Sequence, residues 1–126
     1  MSDDALPAWL RAALLASVPL NVVGAISFAP PFTAARQMVG LPDAAPFYLW
    51  TIAAWILLFG YGYLRLGLSG RADRTFLAVA AGGKASFGAL MLAGALGGQF
   101  HWLAGIGALP DLGLAAAFAA WLLRLA

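Results

Sequence analysis

Cysteine and glutamate are both absent from the 126-residue chain, and histidine occurs once, as His101. Without cysteine there is no disulfide, thiolate metal site or thiol nucleophile, and nothing marks a redox compartment. Without glutamate and with a lone histidine, neither an HExxH zinc helix nor a Ser-His-Asp set can be assembled, and no pair of carboxylates stands ready for acid–base work. No catalytic residue, metal site or cofactor is therefore expected, and the balance leans away from an enzyme. Charge is scarce as well: 10% of residues are charged, against ~25% in a typical soluble domain. The net charge of +2 and a pI of about 9.5 look basic. The arginines, however, stand at the ends of apolar runs, whereas a nucleic-acid binder clusters them on one face. No nucleic-acid partner is expected.

What the chain has in abundance is apolar surface. Hydrophobic residues make up 63% of it and the mean hydropathy is +0.90. So small a globule has too much surface for its volume to hide that fraction, so lipid is the natural solvent for the remainder. Four apolar segments, about 6–29, 47–68, 75–98 and 100–125, are each long enough to cross a ~30 Å hydrocarbon core at ~1.5 Å per residue. Only helices or closed barrels satisfy the backbone in lipid, and the alternating ten-residue segments of a barrel are missing. The expectation is an all-α integral membrane four-helix bundle, one domain over residues 1–126. The four-proline connection "PPFTAARQMVGLPDAAP" leaves room for a short interfacial helix over Thr33–Val39. An apolar N-terminal run ending "SFA" resembles a signal peptide. Asp3 and Asp4 in place of an early basic region, with Pro19 and Asn21 inside the run, favour a retained span.

Arginine placement orients the bundle. Arg11, Arg65, Arg71, Arg74 and Arg124 fall at one end of the spans and Arg36 at the other, which puts both termini in the cytoplasm. Phe47, Tyr48, Trp50, Phe100 and Trp102 would then ring the outer interface, with Trp9 and Trp121 at the inner one. Lipid is the certain partner; a small-molecule or lipid ligand and a homo-oligomer remain open.

Two ionisable residues lie deep in the spans and carry opposite charge: Lys84, in "VAAGGKASFG", and Asp111. Intramembrane charges pair and face the bundle interior, and they mark functional sites or structural clamps. Counting ~1.5 Å per residue from the span ends puts Asn21 level with Asp111 and Tyr61 near Lys84. These four form the expected intramembrane polar core, in two layers, Asn21 with Asp111 and Tyr61 with Lys84, with Lys84 and Asp111 paired directly or through water. Glycines at 60, 62, 82, 83 and 88 would let the helices approach around it. Two readings of the fourth span stay open. Either the helix runs through Pro110, leaving the carbonyl of Ile106 without its donor, or it starts near Leu109 with proline in the first turn. The string "GGKAS" superficially matches a phosphate loop, but Ala78 and Ala85 stand where glycine and a hydroxyl residue are required.

The landmarks "NVVGAISFAP", "GLP", "FGYGY", "GK" and "LPDLG" together resemble the small four-helix bacterial membrane proteins grouped around DoxX. That resemblance implies a four-helix bundle in a bacterial inner membrane and carries over no catalytic residue. The expected function is a membrane-embedded binding or accessory subunit with a polar intramembrane pocket. The alternative is a proton-coupled small-molecule transporter using the Lys84–Asp111 pair.

Overall fold

The computed structural model describes residues 5–124. Asp3, Asp4 and the expected end of the fourth span at Leu125 lie outside that range. Four long helices span it: α1 (Ala8–Phe28), α3 (Pro46–Ser69), α4 (Arg74–Leu96) and α5 (Trp102–Arg124), with a short α2 (Thr33–Val39) between the first two. All four long helices are long and apolar enough to cross a membrane, and 21 to 24 residues each give ~31–36 Å of rise. The chain is a multi-pass membrane protein built as an all-α bundle. The short helix stands at the expected Thr33–Val39.

Local chemistry sets the helix limits, which fall within two residues of the expected spans. Pro7 precedes α1 and Pro46 opens α3, where a missing N–H costs nothing. The Asp73 carboxylate accepts from the amide of Phe76 and caps the start of α4. At its far end Gly98 takes a positive φ of 76°, a conformation that glycine enters without strain. The chain turns there through two bonds to the carbonyl of Gly94, from the amides of Gln99 and Phe100. His101 then precedes α5, and its Nδ1 accepts from the amide of Leu103. Of the two readings of the fourth span, the structure shows the continuous one, with α5 running through Pro110 and Asp111.

The bundle is assembled from two close helix pairs, α1 with α3 and α4 with α5. Small residues hold the second pair together: a methyl group on Gly88 would stand 2.7 Å from Leu112 Cγ and 3.3 Å from the carbonyl of Ala108. Backbones of the two pairs keep further apart, and large side chains fill the seam. Tyr63 meets Phe118 at 5.8 Å and Phe76 at 5.7 Å between ring centroids, and Phe76 meets Phe59 at 5.8 Å. Leu10, Leu14 and Leu77 complete this buried cluster. Aromatic pairs of this kind add ~0.5–1.5 kcal/mol each beyond their area. The outer surface of the long helices is mostly apolar, with Leu58 65% and Leu90 71% exposed, as lipid requires.

Trp121 departs from its expected place in an aromatic belt. It is 4% exposed and belongs to the core, because the Arg74 guanidinium covers its ring at 5.7 Å. Gly82 and Gly83 also depart from expectation: nothing lies within 4 Å of a methyl group built on either, so both face outward rather than toward the polar core.

Candidate functional site

Lys84 sits ten residues above Arg74 in α4, about 15 Å into the bundle at ~1.5 Å per residue. It is 6% exposed. Its Nζ donates to Asp111 Oδ1 at 2.7 Å and to Asn21 Oδ1 at 3.2 Å, and it lies 5.1 Å from the centroid of the Tyr63 ring. An ammonium has three donors and no acceptor. Here a carboxylate, an amide oxygen and an aromatic face surround it, and each favours the positive charge.

The network does not stop at the ion pair. Asn21 turns its Nδ2 away from the cation and donates to the carbonyl of Ile56 at 2.8 Å. That orientation is the one the chemistry allows, since the amide oxygen must face the ammonium. Asn21 reaches the backbone of α3 because Gly60 has no side chain: a methyl group there would lie 3.2 Å from Asn21 Cβ. One chain of three bonds therefore runs from Ile56 in α3 through Asn21 in α1 and Lys84 in α4 to Asp111 in α5. It touches all four spanning helices. Among the described residues, every fully buried side-chain nitrogen and oxygen has a partner, and within the network both polar atoms of Asn21 and the Lys84 ammonium are bonded.

Tyr61 is corrected by the structure. It is 58% exposed, and its hydroxyl accepts from Arg65 at 3.2 Å on the outside of α3. The tyrosine beside Lys84 is Tyr63, 1% exposed. Depth along the span does not separate the two; face does. The buried positions of α3 are Leu49, Ala53, Gly60, Tyr63 and Gly67, a spacing of three, four and seven that defines one stripe. Tyr61 instead follows Leu58 by three and precedes Arg65 by four, on the opposite face. The expected two layers also merge into one, because Asn21 bonds Lys84 directly.

A second buried cation carries no signal in a count of charges. Arg36, in α2, is 4% exposed. Its Nη1 donates to the carbonyls of Ser27, Phe28 and Ala29, and its Nη2 to that of Pro30 and to Thr33 Oγ1, at 2.8–3.4 Å. These are the last carbonyls of α1. Pro31 follows and has no N–H to offer the carbonyl of Ser27, so the guanidinium supplies that missing donor and meets the negative end of the helix dipole. The double proline is the local signal for such a partner. The same device recurs at two other ends: Arg11 Nε donates to Gly67 O at 3.0 Å under α3, and Arg74 Nη2 to Leu122 O at 3.1 Å under α5.

His101, the lone histidine, is spent on the turn before α5. It stands ten residues from Asp111, ~15 Å along the helix. Among the described residues no group of His, Asp or Glu is arranged to hold a metal. No known protein family matches the chain, and neither a curated protein nor a solved structure shows a significant likeness to it.

Proposed function

We propose that the protein is a membrane-embedded binding or accessory subunit of a bacterial inner membrane, with both termini in the cytoplasm. The observation that carries this reading is the Lys84 network: neutral as a set, buried, and bonded to all four spanning helices. Such a network fixes one arrangement of helices without presenting a nucleophile or a proton shuttle to a substrate. A subunit that offers a shaped surface or cleft to a lipid, a small molecule or another membrane protein needs that. The orientation rests on Arg11, Arg65, Arg71, Arg74 and Arg124 at one end, against Arg36 buried at the other. The resemblance to the DoxX-like bundles supports the bacterial inner membrane.

The test is native mass spectrometry of the chain released from its own membrane in mild detergent. The expected result is a lipid, small molecule or partner subunit retained by the parent chain and lost from the Lys84→Met, Asp111→Leu double variant. A parent that emerges bare in every detergent overturns the reading.

Proton-coupled transport by the Lys84–Asp111 pair is the second reading. It is favoured by the ion pair itself, with Lys84 Nζ 2.7 Å from Asp111 Oδ1 inside the spans, because intramembrane ionisable pairs recur in proton relays. Four spans would need a second copy to frame a pathway. Proteoliposomes loaded with a pH-sensitive dye decide it: proton-linked uptake present in the parent and absent in folded Lys84→Met supports transport, and equal flux in both sinks it.

A further inference from the structure

The groove between α4 and α5 at the arginine-rich end carries an inference of its own. It is lined by Arg74, Thr75, Ala78 and Val79 on α4 and by Leu122 and Leu123 on α5, and holds about 440 Å³. That is within the ~300–1,000 Å³ range of ligand clefts. Its floor and walls are aliphatic. Its mouth is a guanidinium.

That guanidinium is held in place before any ligand arrives. Arg74 donates one N–H to the carbonyl of Leu122 at 3.1 Å and rests on the Trp121 ring at 5.7 Å. Of its five donors, Leu122 O takes one, the sole acceptor that it meets among the described residues. Thr75 adds a hydroxyl beside it. Arg71 and Arg124 are exposed at the same end. The carboxylate nearest in sequence, Asp73, is bound to the amide of Phe76 at 2.9 Å. Asp73 keeps its charge, but Arg71, Arg74 and Arg124 outnumber it, so the net charge at the mouth is positive, at the end where the helix leaves the hydrocarbon.

We propose that this groove is a binding site for an acidic glycerophospholipid. The phosphate sits against Arg74 and Thr75, and one acyl chain lies along Ala78, Val79 and Leu123. A guanidinium matches phosphate through a planar fork of donors, and the aliphatic walls match an acyl chain. A soluble anion would find the fork but would have no use for the walls, and a zwitterionic lipid brings an ammonium that the arginines repel. The site lies away from the Lys84 network and does not depend on what that network does.

The experiment measures lipid binding to the full chain in detergent by native mass spectrometry, titrating phosphatidylglycerol against phosphatidylcholine. The parent should take its first phosphatidylglycerol more tightly than its first phosphatidylcholine. Arg74→Gln should weaken that step roughly five- to tenfold and erase the preference, the share expected of one interfacial arginine. Ala78→Trp, which fills the groove and leaves every charge in place, should weaken both lipids together. It also serves as the test if Arg74→Gln fails to fold. Arg65→Gln, at the same end but on the outside of α3, should bind as the parent does. The proposal is overturned if the parent shows no preference for the acidic lipid, if the Trp variant binds both lipids as the parent does, or if Arg65→Gln loses as much as Arg74→Gln.

Discussion

Lys84 and Arg36 are both buried cations, 6% and 4% exposed, yet they are compensated by different means. Arg36 stands at a helix end and needs no counter-charge, because the last carbonyls of α1 are free to accept from it. Lys84 stands in mid-span, where the backbone carbonyls already accept from their own helix. Side chains answer it there: the chain supplies Asp111, Asn21 and Tyr63 from three different helices. A cation at a helix end is therefore a local matter. A cation at mid-depth draws distant parts of the chain together.

Between the two buried cations, the larger effect should come from breaking the Lys84 arrangement on one side. Lys84→Met leaves the Asp111 carboxylate buried without its partner and should cost ~3–5 kcal/mol of stability, the usual consequence of halving a buried pair. Adding Asp111→Leu should restore most of that loss, since apolar packing often replaces a buried pair without penalty. Unfolding by a graded denaturing detergent, followed by helical circular dichroism, reads both. If the double variant is as damaged as the single, the pair has no interchangeable apolar equivalent and the comparison with Arg36 fails.

Arg36→Met should come next, at about 1.5–3 kcal/mol for lost charge-assisted bonds. No second substitution rescues it, because its partners are backbone. That asymmetry is the sharpest contrast between the two sites, and the same unfolding assay measures it. Asn21→Leu should cost less, ~0.6–1.7 kcal/mol, the range found for interhelical hydrogen bonds in membranes. The carbonyl of Ile56 that it abandons lies within α3 and keeps a helical donor.

The fold was readable because its signals are long and uniform. Four apolar runs fix the spans within two residues. The Lys84–Asp111 contact was readable for another reason: in lipid two opposite charges at similar depth have no cheaper partner than each other. Arg36 escaped because a charge count treats every arginine as solvated, and its partners are carbonyls that no side-chain motif announces. Trp121 escaped because a belt position and a core position at the same depth differ only in what covers the ring, here Arg74. Depth without face confuses the two tyrosines, which share the first and differ in the second.

That last confusion yields the smallest predicted effect and a clean control. Tyr61 and Tyr63 are two residues apart, nearly equal in depth, and on opposite faces of α3. Tyr63→Ala empties a fully covered site between Phe76, Phe118 and the Lys84 ammonium and should cost ~3–5 kcal/mol, as large aromatic-to-alanine changes do. Tyr61→Phe removes a hydroxyl whose partner, Arg65, remains exposed and should move stability by no more than ~0.5 kcal/mol. Measured side by side in one lipid, the pair isolates face from depth. Equal losses would mean that Tyr61 also meets protein in the membrane, and the outside of α3 would then have to be a covered surface rather than a lipid-facing one.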